Sequence, residues 1–421
     1  MQKDTDFPLS EVPDSHRKGM VSMAVMLLGF TFYTATMWAG GNIGKAFSFD
    51  NLLLIIVVGN LILGIYAAAL GWIAYKTGLN TVLLGRYCFG EKGSRLSDFI
   101  LGFTQIGWYA WGVATIAIVL TTLLELEKSW QLPLMVLFGF GFCVTAFIGY
   151  RAMDILSKIS VPLMLIFIAI SFYRGLVDVG GLVALFGIQP APNMTMSAAI
   201  TVVIGTFISG ATQATNWSRF AKSGRVAVLA TLIAFFIGNG LMVFIGAYGA
   251  LIYQHADIVD VLVAQGFLFL AIAMLFTNLW TTQDNTIYNF AAAGCNLLRS
   301  DKRRTITIVG AAIGTILAVL GMYNYLIPFL VLLGTFIPPI GAVIMSSYWF
   351  TYRGTFPKLA SVTLPDYNWI GLGAYVIGSG CAYFSPWMPP LVGIIAASVS
   401  YTLLAHCFSF RTSSEQVHLT N

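Results

Sequence analysis

The stretch that decides the fold is "NLWTTQDN", Asn278 to Asn285, which packs six amide, hydroxyl or carboxylate side chains into eight positions. It lies in an otherwise apolar segment long enough to cross a bilayer. Asp260 and Arg299 bracket this segment, so the polar run begins near its midpoint, at the membrane centre. Hydrocarbon offers no hydrogen bonds, and we therefore expect these side chains to face protein, an ion or a cavity.

The composition is that of an all-α integral membrane protein. Of 421 residues, 58% are hydrophobic and 9% charged, whereas soluble domains carry about 25% charged residues. Apolar runs of membrane-spanning length recur along the chain. They predict twelve transmembrane spans, at about 20–44, 51–75, 97–124, 132–150, 154–173, 195–216, 226–253, 261–298, 306–322, 326–350, 368–386 and 388–409.

The basic residues predict the orientation. Of the 22 lysines and arginines, only Lys45, Lys128 and Arg174 fall in segments that would be exterior if the N-terminus is cytoplasmic. This asymmetry follows the positive-inside rule. We therefore expect the tails, 1–19 and 410–421, both to be cytoplasmic. The long cytoplasmic segment between Lys76 and Asp98 has room for a short amphipathic helix on the membrane surface.

Several classes of function are disfavoured. No GxxxxGK[ST] phosphate loop is present, so an ATP-driven pump is not expected. The five cysteines show no C-x-x-C spacing, and neither a metal nor a redox centre is expected. An enzyme needs a nucleophile or an acid–base pair, and Asp284 has no histidine, lysine or second carboxylate at a similar depth. A sensor would need an output domain, for which the tails are too short.

Spans 1 and 6 carry glycines and hydroxyl residues at mid-depth, in "GFTFYTATMWAGG" around Thr31 and "GTFISGATQAT" around Thr206. Each begins a five-helix block, 20–174 and 195–350, followed by two further helices in 351–409. Because five is odd, the second block enters the membrane from the opposite side. Interrupted segments at matching positions of inverted halves point to a transporter's binding site. The alternative is that glycine and threonine only allow close helix packing.

The polar residues of span 8 allow two interpretations each. Asp284 is the carboxylate that these boundaries place inside a span, which suits a proton carrier or part of an inner gate. Alternatively, it is a wetted structural group paired with Asn285 or Thr31. Thr281 and Thr282 offer neutral oxygens suited to Na⁺ beside an unwound span 1, or they bond only to carbonyls of their own helix.

Span 3 contains "FTQIGWYAWG", in which Gln105 and Trp108 share a helix face. An aromatic face beside an amide suits a planar heterocycle, since the ring stacks and the amide supplies hydrogen bonds. The alternative for Trp108 is an anchor at the lipid interface. Its depth, about one turn from the membrane centre, disfavours that role.

The motifs "RKG", "GFTF" and "MWAGG" near span 1, "TQIGW", "GTFISG", "WTTQDN" and "FIPPIGAVI" resemble those of the nucleobase–cation symporter family across essentially the whole chain. The resemblance implies a LeuT-type core of five plus five inverted helices, broken in helices 1 and 6, with two extra C-terminal helices. It implies Na⁺-coupled uptake of cytosine by alternating access, across the bacterial inner membrane. H⁺-coupled transport of cytosine, or of another nucleobase or hydantoin-like heterocycle, through Asp284 is the alternative.

The same resemblance assigns the sites. Cytosine would lie between Trp108 and Phe207, with hydrogen bonds from Gln105, Thr206, Ser209 and Asn278. Sodium would be bound by the carbonyls of Gly29, Phe32 and Asn278 and the hydroxyls of Thr281 and Thr282. No cofactor is expected besides Na⁺ as the coupling ion. The partners expected are cytosine, Na⁺ and membrane lipids but no nucleic acid, with the chain as a monomer.

Overall fold

The computed structural model describes residues 6–191 and 193–418. Helices make up this part of the chain, and its only β-type pairing is an isolated bridge between Lys18 and Ala221. The all-α prediction is therefore confirmed.

Each predicted span corresponds to one helix or to a consecutive set of helices. Spans 1 to 6 are Met20–Thr31 with Thr34–Gly44, Phe49–Thr77, Ser94–Leu123, Gln131–Gly141 with Cys143–Ile148, Tyr150–Asp178, and Met196–Thr212 with Thr215–Ser218. Spans 7 to 12 are Gly224–Leu232 with Ile233–Gly238 and Asn239–Tyr253, Leu268–Leu297, Arg303–Val319, Leu326–Phe336 with Pro338–Ser346 and Ser347–Thr351, Trp369–Phe384, and Pro389–His418. Short helices Thr81–Phe89, Leu182–Gly187 and Ile258–Ala264 lie between spans.

Eight of these helices in the described part are long and apolar enough to cross a membrane, and the bent pair of span 1 makes a ninth. Span 8 has sufficient length, but its polar residues lower its hydropathy. The helices of spans 9 and 11 have 17 and 16 residues, slightly short of a full crossing. Twelve crossings therefore stay a prediction, and so does the division of the chain into two five-helix repeats.

The predicted break in span 1 is confirmed. Its two helices meet at an angle of 57°. Between them, Phe32 and Tyr33 have extended backbone, with φ/ψ of −76°/93° and −137°/131°. The carbonyl of Phe32 leaves the helical hydrogen-bond pattern and accepts instead from the hydroxyl of Thr282 at 2.9 Å. This irregular backbone is buried in protein, where it is tolerated inside a membrane.

Span 6 is interrupted at Gln213 and Ala214, inside the predicted stretch "GTFISGATQAT", but its two pieces form one apolar span without the sharp bend of span 1. The helix continues through Thr206, whose hydroxyl donates to the carbonyl of Val203 at 2.7 Å, and it stops at Gln213. A Cβ added to Gly210 would lie 3.0 Å from Cε1 of Phe30. The same Cβ would lie 2.6 Å from Cδ1 of Phe207, so glycine here leaves room for the rings of both Phe207 and Phe30, as the packing alternative expects.

Two further expectations need correction. Span 8 begins at Leu268 and not at 261, because Gly266 adopts a positive φ of 82° that ends the separate helix Ile258–Ala264. The helix Thr81–Phe89, expected on the membrane surface, is almost wholly buried in the protein. Asn80 caps it by accepting a hydrogen bond from the backbone of Leu83 at 2.9 Å.

Span 8 lies at the centre of the bundle, packed against spans 1, 3, 5 and 9. Residues 281–289 of this helix are all buried. Its polar run therefore faces protein, and the break of span 1 lies directly against it.

Candidate functional site

A buried pocket lies between spans 1, 3, 6 and 8. It contains about 230 Å³ of space between atoms, but only about 10 Å³ is open to the centre of a water molecule, which is about the room that one water needs. All of its lining residues are buried. The lining residues are Phe30, Tyr33, Gln105, Trp108, Thr206, Phe207, Ser209, Gly210, Thr282 and Thr286.

Aromatic rings form most of the pocket wall. Tyr33 meets Trp108 edge to face, with ring centroids 5.5 Å apart, and Phe207 at 6.4 Å. Phe30 packs against Phe207 at 5.0 Å. Sequence reasoning missed Tyr33 and Phe30, although both flank the break it placed in span 1. The signal was the "FTFY" run itself, because extended backbone in a broken helix redirects the neighbouring side chains.

The polar groups of the pocket are few. Trp108 donates its indole N–H to Oγ of Ser209 at 3.2 Å. Thr206 accepts from Nδ2 of Asn239 at 3.1 Å. Within the described part of the chain, Nε2 of Gln105 is buried without a hydrogen-bond partner. An unpaired buried amide costs about 1–3 kcal/mol, so a ligand that accepts a hydrogen bond from Gln105 would recover that free energy.

Asn278 does not line this pocket, although the family resemblance implied that it contacts the base. Its Oδ1 accepts hydrogen bonds from the backbone N–H of Thr34 at 2.7 Å and from the hydroxyl of Thr34 at 2.6 Å. Thr34 is the first residue of the second helix of span 1. Asn278 thus supplies an acceptor to an N-terminal backbone group that has no partner within its own helix.

The oxygens assigned to Na⁺ lie where span 8 crosses the break of span 1. The hydroxyl of Thr282 donates to the carbonyl of Phe32 at 2.9 Å. The hydroxyl of Thr281 donates to the carbonyls of Thr277 at 2.9 Å and Asn278 at 3.2 Å. A Cβ added to Gly29 would lie 3.6 Å from Cβ of Thr281, so the two spans are in close contact.

This oxygen set has the chemistry of a site for a small hard cation. Its donors are neutral hydroxyls and carbonyls, which suit an ion that prefers oxygen ligands. No group of three or more histidine, cysteine, aspartate or glutamate side chains capable of holding a metal occurs in the described residues. The hydroxyl of Thr281 bonds only to carbonyls of its own helix, as the structural alternative for this residue predicted. The hydroxyl of Thr282 instead bonds to a carbonyl of span 1.

Asp284 is fully buried. Its Oδ2 accepts a hydrogen bond from the hydroxyl of Thr145 in span 4 at 2.8 Å, and its Oδ1 accepts from Nδ2 of Asn285 at 2.9 Å. The expected pairing with Asn285 is present. Thr31 instead donates to the carbonyl of Leu28 at 3.2 Å. Among the described residues, no lysine, arginine or histidine forms an ion pair with Asp284.

Comparison with known proteins identifies the family. The sequence profile described as "Permease for cytosine/purines, uracil, thiamine, allantoin" matches residues 11–383. The cytosine permease of Escherichia coli (strain K12) is 36% identical over 419 residues, covering 100% of this chain and 99% of that protein.

Two solved structures share the fold. Mhp1, a nucleobase-cation-symport-1 family transporter in a closed conformation with bromovinylhydantoin bound, superposes with a TM-score of 0.84 at 18% identity over 94% of each chain. A Na⁺-coupled sialic acid symporter in a substrate-bound outward-open state superposes with a TM-score of 0.72 at 13% identity, over 96% of this chain and 92% of that one. The chain has the LeuT-type fold of these transporters, and it belongs to the family of permeases for cytosine/purines, uracil, thiamine and allantoin.

Proposed function

We propose that this transporter carries cytosine into the cell together with Na⁺, by alternating access. The observation that carries the proposal is the buried pocket whose lining includes Trp108, Phe207 and the unpaired amide of Gln105. Small planar ligands bind in such largely apolar cavities with a few placed polar groups. The full-length likeness to a cytosine permease supports cytosine as the base.

Cytosine matches the polar groups of the pocket. Its ring carbonyl and N3 are acceptors, and Nε2 of Gln105 is the donor without a partner. Its exocyclic amino group is a donor, and the hydroxyl oxygens of Ser209 and Thr206 are acceptors in the same pocket. The two hydroxyls are already engaged with Trp108 and Asn239, so their orientation is fixed before the base binds.

Sodium would bind where Thr282 meets the break in span 1. In our proposal the hydroxyl groups of Thr281 and Thr282 rotate so that their protons leave the carbonyl oxygens they now bond to. The two hydroxyl oxygens then coordinate the ion. The carbonyls of Gly29, Phe32 and Asn278 complete the set. Such an ion links the two spans, and it shifts the transporter toward whichever conformation keeps these oxygens together. The Na⁺ coupling of a transporter with the same fold supports this assignment.

The second candidate is H⁺ coupling through Asp284. It is favoured by a carboxylate that is completely buried, bonded to Thr145 and Asn285 and without an ion pair in the described chain. Buried carboxylates of this kind serve as proton carriers in transporters. Asp284→Asn keeps the shape and cannot release a proton. If Na⁺ is the coupling ion, this variant should still concentrate cytosine in an inward Na⁺ gradient.

Uptake of labelled cytosine into proteoliposomes tests the function directly. We expect accumulation with an inward Na⁺ gradient and little without one, whether or not a pH gradient is imposed. Accumulation driven by a pH gradient in the absence of Na⁺ would show that the coupling ion is H⁺ and not Na⁺. No accumulation of cytosine in either gradient would reject the substrate. A location in the bacterial inner membrane with cytoplasmic termini, and a monomeric state, belong to the same proposal.

A further inference from the structure

Three buried amides form an inner amide cluster, Gln213, Asn216 and Asn289, which none of the proposed sites uses. All three are at most 1% exposed. Asn216 donates through Nδ2 to Oδ1 of Asn289 at 2.8 Å, which joins span 6 to span 8. The backbone N–H of Thr81, at the start of a short buried helix, donates to Oδ1 of Asn216 at 3.2 Å.

The cluster continues the pocket along two helix faces. Gln213 follows Ser209 by four residues at the end of the helix Met196–Thr212, so the two share one face, and the backbone N–H of Asn216 donates to the carbonyl of Gln213 at 2.9 Å. Thr282, Thr286 and Asn289 follow one another at intervals of four and three residues and share one face of span 8. Ser209, Thr282 and Thr286 line the pocket, and the cluster lies beyond them. Arg219 and Arg299 follow it at the end where basic residues gather, which is the predicted cytoplasmic side.

Two polar atoms of the cluster have no hydrogen-bond partner within the described chain. They are Oε1 of Gln213, an acceptor, and Nδ2 of Asn289, a donor. A buried amide group left unpaired costs free energy, and native structures hold few of them. A donor and an acceptor on facing helices, each unpaired, can be satisfied together by a molecule that carries both groups.

The break in span 6 lies at this cluster and not at the pocket. The helix Met196–Thr212 ends at Gln213, which has φ/ψ of −95°/6°, and Thr215–Ser218 follows as a short separate helix. The α-helical hydrogen-bond pattern is therefore interrupted one turn beyond the pocket, although the two pieces together form one apolar span of 23 residues. A hinge at Gln213 would let the end of span 6 move relative to the part that holds Thr206, Phe207 and Ser209.

We propose that Gln213 and Asn289 form a second, inner station for the transported base on its way to the cytoplasmic side. This inference rests on the proposed cytosine transport. The unpaired Oε1 of Gln213 accepts a hydrogen bond from the exocyclic amino group of the base, and the unpaired Nδ2 of Asn289 donates to its ring carbonyl. The hydrogen bond between Asn216 and Asn289 closes the station, and it breaks when the end of span 6 moves.

The test compares cytosine binding with cytosine exchange in full-length Gln213→Met, which removes the amide with little change of shape. Equilibrium binding of labelled cytosine in detergent reports the pocket. Counterflow of labelled cytosine in proteoliposomes requires passage through the inner side as well. We expect binding within about twofold of wild type and exchange slowed about five- to tenfold, the size of one lost hydrogen bond.

Gln265→Met is the matched control. Gln265 is also a buried glutamine, but both of its amide atoms are paired with Ser171, at 2.9 and 3.0 Å, away from the pocket. Its substitution should leave the ratio of exchange to binding unchanged. If Gln213→Met does not fold, Asn289→Ser makes the same test from span 8, because it removes the unpaired donor.

The outcomes separate the two proposals. Unaltered exchange in Gln213→Met or Asn289→Ser, or a loss of exchange that only matches a loss of binding, would overturn the inner station while cytosine transport stands. If the wild-type protein neither binds nor exchanges cytosine, both proposals fail together. Slower exchange with intact binding in the cluster variants, and not in Gln265→Met, supports the station.

Discussion

Thr282 of span 8 donates its hydroxyl to the carbonyl oxygen of Phe32, 2.9 Å away in the break of span 1. The bond spans two segments that are 250 residues apart in the sequence. The same hydroxyl lies 3.5 Å from the carbonyl of Phe30. Two carbonyls of a broken helix and one hydroxyl of its neighbour thus converge on one point, as a small cation requires.

Of the two threonines proposed to bind Na⁺, Thr281 and Thr282, only Thr282 has a hydroxyl that reaches span 1 in the described structure. Replacing it by alanine removes that oxygen. We expect Thr282→Ala to raise the Na⁺ concentration for half-maximal cytosine uptake about tenfold, the order of one charge-assisted contact. Thr282→Ser keeps the hydroxyl and should stay near wild type. Sodium titration of uptake in proteoliposomes measures both. An unchanged Na⁺ response in Thr282→Ala would mean that this hydroxyl only joins the two spans.

Thr281 should be less sensitive than Thr282. Its hydroxyl donates to carbonyls of its own helix, at Thr277 and Asn278, so it must rotate away before it can bind an ion. We expect Thr281→Ala to shift the same Na⁺ titration about threefold, because the hydrogen bonds released offset part of the lost coordination. A larger shift than in Thr282→Ala would contradict this order.

Asn278 should matter for folding more than for recognition of the base. Asn278→Ala leaves the backbone N–H and the hydroxyl of Thr34 without their shared acceptor. A buried unsatisfied donor costs about 1–3 kcal/mol, and we expect a lower melting temperature of the purified protein. Asn278→Asp keeps the acceptor at the positive end of the helix Thr34–Gly44 and should lose less stability. Equal melting temperatures for the alanine variant and wild type would refute this role.

The sequence predicted local features better than long-range ones. The break in span 1 was predictable because glycine, hydroxyl and aromatic residues crowd one stretch at mid-depth. The interruption of span 6 at Gln213 and Ala214 also lies in the predicted stretch, but the sequence could not show that span 6 lacks the sharp bend of span 1. Spacing put Gln105 and Trp108 on one face. It could not show that the ring of Tyr33 contacts both Trp108 and Phe207, since those contacts depend on the 57° bend of span 1.

The pocket should discriminate cytosine from uracil. Uracil carries a carbonyl where cytosine has its exocyclic amino group, so an acceptor of the pocket would face another acceptor. Sites that hydrogen-bond a substrate group reject analogues that lack it, because buried polar atoms are left unpaired. We expect unlabelled uracil to inhibit labelled cytosine uptake at least about a hundredfold less strongly than cytosine does. Equal inhibition by the two bases would contradict the proposed hydrogen bonds to the exocyclic amino group of cytosine.

Gln105→Leu tests the other edge of the base. The substitution removes the unpaired Nε2 donor and leaves the apolar wall in place. We expect cytosine binding to weaken about tenfold or more, the cost of one hydrogen bond to a buried ligand, with no loss of thermal stability. Thr115→Val is the matched control, because it removes a half-buried polar group of the same helix that does not line the pocket and bonds only to its own helix, at the carbonyl of Trp111, 2.8 Å away. Tight cytosine binding by Gln105→Leu would place the base elsewhere.

The N-terminal segment, residues 6–18, should keep the basic end of the bundle closed. Arg219 at the end of span 6 donates to the carbonyls of Phe7 and Asp6, each at 2.7 Å. Asn80, the cap of the short helix Thr81–Phe89, donates to the carbonyl of Pro8 at 3.1 Å. The segment therefore ties span 6 to the short helix, and loosening it should expose that helix to reagents.

Cys88 in this short helix provides a natural reporter. It is fully buried, and burial raises the pKa of its thiol to about 12, so almost no thiolate forms at neutral pH. We expect N-ethylmaleimide to label Cys88 slowly in wild type and about tenfold faster in Arg219→Gln, because local opening governs access to buried groups. Arg151→Gln, at an exposed arginine, should label as wild type does. Mass spectrometry of the Cys88 peptide measures the rate, and equal rates in Arg219→Gln and wild type would show that the segment does not control opening of this end.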